Sequence, residues 1–495
     1  MKKAGLICML MVLLAVSTHA AKDPLKLGLQ LYKKHCYEDA INLIYSYLPS
    51  ADSGLQGKTY LSLGMICLAN AGLYQDLYRA AIAINLDYFT RLLSVKGPSK
   101  SRLVNLYLGL TLLEAGELSE AAAFFQKFLA DESVKPQDKD LAKIGLATVF
   151  FLQDKPHKAH DLWSTVKQSR PELATALAAA YSRFGLTDKE PLATCKNALD
   201  RLQRAGHTPS IQLITHLIRV YTREGLVDEG FELIKQADLK AFFNEEIPTQ
   251  NKVVRFYDAS LLGNLSMFYA KAALKFLEKA HASNDKNING LAQYYLGEGY
   301  GLFGHPDQSM RMMNAFLSSN NHPPRLKNKA KVRQAFNHYL VGDEAAAKDH
   351  LSVLLQAEPE PNLIAEMLLS CIRYKFDAPQ VVIHASAMTQ RGQGKSFSRI
   401  NFALGKYYLW KKNYPKAVSY MEAARDKSNK NRVEFNDPLM LVNLAEANYR
   451  SKHFSESLEI FFEMSKQFPA VRQIQVALQG VYSMEQKSAG DVKIF

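Results

Sequence analysis

The chain has 495 residues, 47% hydrophobic and 22% charged, an ordinary balance for a folded protein that argues against disorder over most of its length. This length exceeds what one hydrophobic core organises, leaving either several globular domains or one array that grows by adding units. The formal net charge of +13 favours anionic partners such as acidic proteins, polyanionic glycans or phospholipid headgroups.

Lys2 and Lys3 precede an almost unbroken apolar run from Ala4 to Val16, which ends at Ser17-Thr18-His19-Ala20. A basic start, an apolar centre and a small-residue end form the layout of a secretory signal, here cleaved near Ala20. The apolar run is short for a bilayer span, and Cys8 comes too early for lipid attachment. No later segment is apolar and long enough to act as a transmembrane segment. The chain is therefore expected to be exported, to a periplasm or an outer-membrane-associated site. Loss of two lysines would lower its net charge from +13 to +11. Nucleic acid is not expected as a partner.

Cys36, Cys67, Cys195 and Cys371 remain after cleavage, far apart and without a C-x-x-C pair. That spacing indicates neither a zinc site nor a redox motif, and it is too sparse for a disulfide scaffold. Cys36 and Cys67 fall in neighbouring repeats, and whether they pair is left open.

Laid on itself, the chain repeats a phase of small and bulky residues. In chain order, copies begin at Leu27-Gly28 (with Leu31, Ala40, Ile44) and Leu108-Gly109 (with Leu112, Ala121, Phe125). Leu146-Ala147 follows, with Phe150, Ala159, Trp163 and Pro171, and then Leu296-Gly297, with Tyr300, Ser309 and Met313. The clearest is Leu404-Gly405, with Tyr408, Ala417, Met421 and Ala424; Leu444-Ala445 closes the series with Ser457, Phe461 and Pro469. Weaker copies stand at Leu63-Gly64, Leu177-Ala178, Ile218-Tyr221 and Ala335-Ala347. Two helices that cross closely need a small side chain at the crossing, and a bulky one fills the space beside it. Polar, turn-prone punctuation such as Ala115-Gly116, Gly304-His305-Pro306 and Lys411-Lys412-Asn413-Tyr414-Pro415 separates the paired helices. Unrelated helical bundles would not need small residues in one fixed phase.

The pattern resembles the tetratricopeptide repeat family over nearly all of the chain after residue 20. The resemblance implies an all-α fold, a right-handed superhelical α-solenoid of about 10–12 degenerate helix hairpins. The expected organisation is a signal at 1–20, repeats at 21–240, an irregular connection at 241–258 and repeats at 259–486 that end in a capping helix. Residues 487–495 are expected to form a loose tail. The register frays at 187–210, 239–258 and 360–396.

No catalytic motif emerges. Gly392-Gln393-Gly394-Lys395-Ser396 lacks the first glycine of a phosphate-binding loop, where Thr389 stands, and no strand precedes it. His157 and His160 alone do not make a metal site. No G-x-S-x-G is present, so no enzyme, cofactor or metal is expected. In the family's layout the first helix of each repeat lines a groove. Its groove-facing positions map onto Arg219, Arg223, Tyr294, Glu298, Lys406, Trp410, Tyr449 and Arg450. Trp410 is the leading candidate, since aromatic and arginine side chains dominate binding hot spots. The lysine–asparagine clamp of some chaperone-binding members is not matched. The expected function is a non-catalytic scaffold of the bacterial cell envelope that binds protein partners, an acidic protein among them. The alternative is an anionic glycan or peptidoglycan in the same groove.

Overall fold

The computed structural model describes residues 23–94, 102–167, 171–206, 211–236, 259–319, 322–391, 395–425, 437–466, 468 and 470–491. The expected signal at 1–20, the connection at 241–258 and the glycines of 392–394 lie outside these residues. Among the described residues there are 23 α-helices and no strand.

In chain order the first helices are α1 (Pro24–Lys33), α2 (Tyr37–Tyr47) and α3 (Ser53–Ser94). Four hairpins follow: α4 (Arg102–Ala115) with α5 (Leu118–Ala130), α6 (Pro136–Leu152) with α7 (Pro156–Ser164), α8 (Pro171–Arg183) with α9 (Pro191–Arg204), and α10 (Ile211–Glu224) with α11 (Val227–Gln236). The long α12 (Ser260–His281) leads to α13 (Lys286–Leu302) with α14 (Pro306–Ser318), α15 (Pro324–Leu340) with α16 (Glu344–Gln356), and α17 (Pro361–Tyr374) with α18 (Pro379–Arg391). The series ends with α19 (Lys395–Trp410), α20 (Tyr414–Ala424), α21 (Pro438–Arg450), α22 (Phe454–Ser465) and α23 (Val471–Asp491). That last helix continues past Gln486, where a tail was expected.

Local chemistry explains where the helices start and stop. Proline opens many of them, α6, α8, α15 and α17 included, because the first turn has no use for its missing N–H. The first helix of each hairpin ends on a left-handed residue, seven positions after the small one except in α10 and α17, where Ile218 and Leu368 hold that place. Glycine takes this role at Gly116, Gly185, Gly225, Gly304 and Gly342; His35, Asp154, Lys375, Lys412 and Lys452 take it elsewhere. The next N–H then donates back to a carbonyl of the last turn, as in Glu117 to Leu112 (2.9 Å), Lys155 to Phe150 (2.9 Å), His305 to Tyr300 (2.9 Å) and His453 to Asn448 (2.9 Å). This cap satisfies carbonyls that the helix end would leave bare.

The crossings confirm the role of the small residues. A Cβ added to Gly28 would stand 2.3 Å from Ile44, one on Gly109 would stand 2.8 Å from Phe125, and one on Gly297 would stand 2.7 Å from Met313. Where the second small residue is serine, it bonds across the crossing. Ser309 Oγ donates to the Gly297 carbonyl (2.6 Å), and Ser457 Oγ donates to the Ala445 carbonyl (2.7 Å). Stacking between hairpins uses the same device, since a Cβ on Gly145 of α6 would stand 2.5 Å from the Phe125 ring.

Two compact units form, each discontinuous in sequence, whereas two consecutive sets of repeats were expected. One comprises residues 1–70, 272–411 and 419–437; the other comprises 71–271, 412–418 and 438–495. In the first unit the first helices α13, α15, α17 and α19 pack in a row, over a core that includes Phe336, Met367, Leu368 and Phe376. In the second, α4, α6, α8 and α10 form the row, over cores built on Phe125 and Trp163.

The weak copy at Leu63-Gly64 is not a hairpin, because residues 53–94 make one helix of 42 residues. No proline interrupts it, and its one central glycine outside the crossing, Gly72, is exposed. Gly64 serves a different crossing within the first unit, where a Cβ would stand 2.5 Å from Leu277 of α12. Within the second unit, Ser266 of α12 donates to the Ala71 carbonyl (2.8 Å) and Tyr74 stacks on Tyr269. Of the frayed stretches, 239–258 lies outside the described residues and the other two hold ordinary helices. Residues 187–210 lose register because a 3₁₀ turn, Thr187–Lys189, precedes α9, and 360–396 contain α17 and α18. Cys36 and Cys67 are not bonded to each other, and Cys67 is fully buried.

Candidate functional site

In the second unit the first-helix row carries a cleft of about 80 Å³. Its walls come from α4 (Tyr107, Leu110, Glu114), α6 (Leu141, Ile144, Thr148), α8 (Arg183) and α10 (His216, Arg219). Four consecutive hairpins thus contribute only their first helices, and α12 adds Ser260.

The charged lining is held in place from outside the cleft. Asn264 of α12 donates to the Thr215 carbonyl (2.9 Å), and its Oδ1 accepts from Arg219 Nε (3.0 Å). The other end of the Arg219 guanidinium lies 3.6 Å from Glu114 Oε1. Tyr78 donates to Glu114 Oε2 (2.7 Å), fixing that carboxylate against α3. Arg183 has no ion pair among the described residues. Burial lowers its pKa, and the neighbouring Arg219 charge lowers it further against the attraction of Glu114. Burial holds His216 neutral as well, its pKa pushed down to about 3 with a smaller contribution from Arg219. Its Nδ1 is buried without a hydrogen-bond partner among the described residues.

The eight expected groove residues do not share one site. Arg219 lines the cleft. Arg223 is exposed, with its guanidinium against Gly185, where a Cβ would come within 2.8 Å. Tyr449 and Arg450 lie on α21 in the same unit. Tyr449 is buried and donates to Asp87 Oδ2 (2.8 Å); Arg450 stands 3.9 Å from Glu446. Glu446 in turn pairs with Arg79 of α3 (2.9 Å), beside Asp76 and Asn443.

The other four lie in the first unit. Tyr294 is buried against Phe316, and burial raises its hydroxyl pKa, helped by Glu298. Glu298 pairs with the buried Arg333 at 2.6 Å, and Arg333 also donates to the Tyr374 hydroxyl. Glu366 of α17 bridges Lys329 of α15 (3.3 Å) and Arg399 of α19 (3.2 Å). In this unit, therefore, the first-helix row is cross-linked by its own charges. Lys406 lies over the Phe402 ring, and Trp410 sits half-buried edge-on to Tyr407 with Lys411 Nζ 4.3 Å from its ring centre. Tyr294 and Tyr449 are corrections to the groove expectation: both spend their rings on packing.

Sequence reasoning missed Glu114, Arg183 and His216. Glu114 and Arg183 stand five residues after their repeats' small residues, Gly109 and Ala178, the phase that selected Arg223, Trp410 and Arg450. The signal was therefore present. His216 carried none.

Hairpins with fixed-phase crossings, a left-handed cap at one position and rows of first helices define an all-α helical-repeat fold of tetratricopeptide-like type. No family profile and no curated protein matches the chain. Among solved structures, it is similar to yeast Tom70, with 13% identity over 94% of this chain and 96% of that one and a TM-score of 0.32. It is similar to the APC/C hetero-tetramer Cut9-Hcn1, with 12% identity, 92% and 89% coverage and a TM-score of 0.28. Maize PPR10, a pentatricopeptide repeat protein, gives 16% identity, 96% and 72% coverage and a TM-score of 0.25. At such identities and TM-scores nothing about their binding passes to this chain. The fold rests on the chain's own helices.

Proposed function

We propose that the chain is a non-catalytic protein-interaction scaffold that holds a segment of its partner along the α4–α6–α8–α10 row. The observation that supports this is the cleft, which opens across four successive first helices and sets an apolar wall beside a cation, Arg183, that has no ion pair among the described residues. Stacked repeats bind extended segments through many small contacts along such rows. The basic start and apolar run of residues 2–16 support export, and with it a place in a bacterial cell envelope assembling a secretion, surface-polymer or outer-membrane system.

The test is site-specific photocross-linking in cells. A photoreactive phenylalanine analogue at Leu110, in the cleft, is compared with one at Phe462, an exposed position on α22. A discrete protein adduct from position 110 that is absent from position 462 is the expected result. Identical adduct patterns at both positions, or none at 110, refute the assignment. A polysaccharide adduct at 110 that disappears as ionic strength rises would select the glycan reading instead, since screened charge attraction weakens with salt.

A further inference from the structure

We infer that the cleft is a carboxylate site, taking the side chain of an aspartate or glutamate from the partner segment through Arg183 and Arg219 beside His216. The inference rests on the partner-binding reading above for the source of the carboxylate. Its chemistry rests on the cleft itself.

Charge is the first support. Two guanidinium groups line the cleft against one carboxylate, Glu114. Arg219 is already engaged by Glu114 and Asn264, and Tyr78 ties down the second oxygen of Glu114. Arg183 is left beside a like charge with no ion pair of its own among the described residues. One further negative charge would make the cluster neutral, whereas a phosphate dianion would overshoot. Apolar walls from Leu110, Leu141 and Ile144 lower the local dielectric, which strengthens any pair formed there.

The second support is an unmet hydrogen bond. Buried polar atoms are nearly always satisfied, yet His216 Nδ1 has no partner among the described residues. With the ring neutral, the Nδ1–H tautomer can donate to a carboxylate oxygen once the ring turns its buried Nδ1 toward the cleft. Size is the third. A space of about 80 Å³ is enough for a carboxylate head on a short methylene stem.

The experiment uses the full chain and two small probes at matched ionic strength, N-acetylglutamate N-methylamide and its uncharged glutamine counterpart. Thermal unfolding and calorimetric titration should show binding of the glutamate probe and no response to the glutamine one. Arg183→Gln should weaken the glutamate probe about tenfold or more, as expected when one member of a desolvated charge pair is removed; Arg183→Lys should recover part of that loss. The unliganded unfolding midpoint of each variant shows that it folds. Equal responses to both probes, an unchanged affinity in Arg183→Gln, or tighter binding of inorganic phosphate would each overturn the assignment. Binding of the glutamate probe without a cross-link from position 110 would keep the carboxylate site and withdraw the partner segment. A cross-link without probe binding would do the reverse.

Discussion

Gly145→Ala puts a single methyl group where two hairpins meet, and the structure sets the size of the response. In an exposed helix interior this change stabilises by about 1 kcal/mol through propensity alone. At residue 145 the new Cβ would lie 2.5 Å from Phe125 Cζ and 2.8 Å from its Cε1. The ring is fully buried, and it is also packed on Gly109, where a Cβ would stand 2.8 Å from it. Overpacking costs about 1–3 kcal/mol, with the upper end expected for a ring packed on two glycines, so the net loss should be about 1–2 kcal/mol after the propensity gain. Urea unfolding of wild type, Gly145→Ala, Phe125→Leu and the double variant measures it. The smaller leucine should absorb the methyl group, giving a favourable coupling of about 1 kcal/mol between the two sites. Gly72→Ala is the internal control, since nothing lies within 4 Å of a Cβ there, and it should stabilise by up to about 1 kcal/mol. If Gly145→Ala behaves like Gly72→Ala, close backbone approach is not what the small residues are for.

Glu298→Gln removes the carboxylate that pairs with Arg333, whose side chain is 2% exposed. The stranded guanidinium should cost about 3–5 kcal/mol, with much of it recovered in Glu298→Gln/Arg333→Met; a loss near zero in the unfolding midpoint would count against a structural role for that row. Ser457→Ala leaves the Ala445 carbonyl without its cross-helix donor and should lower stability by about 1 kcal/mol, read by the same titration. His216 gives a pH dependence. Its folded pKa of about 3 lies below the unfolded value near 6.5, so the unfolded chain takes up the proton first. Its contribution is complete above pH 6.5 and is lost as pH falls toward 3, by about 1 kcal/mol between pH 7 and 5.5. His216→Phe should flatten that part of the stability–pH profile, and an unchanged slope would contradict a buried neutral imidazole.

Much of this architecture was readable because crossings constrain residue size and turns constrain backbone angle. Gly109, Gly297 and Gly28 could be placed from spacing alone, and the residue seven positions later takes a left-handed turn in each hairpin. Spacing could not foresee α3. A hydrophobic phase that reads as one weak repeat at Leu63-Gly64 equally suits a continuous helix packed on α12, and only the tertiary partner decides between them. Groove positions were legible as a phase but not as a role. Glu298 is held by Arg333 and Tyr449 by Asp87 because residues far along the chain supply the opposite group, and nothing local marks which first-helix charges find one. Arg183 fits the same phase and finds none among the described residues, which is why it matters.

Gly64 meets Leu277 inside one compact unit, although some two hundred residues separate them in the chain. Synthesis from the N-terminus therefore exposes that face of α3 until α12 has emerged, so the nascent chain spends a long interval with an uncovered apolar seam. For a repeat protein, whose neighbours normally fold as each is made, this imposes an order: early helices wait for late ones. A fragment that stops before residue 259 would keep the seam and lose its cover, and aggregation rather than a smaller stable array is its natural fate.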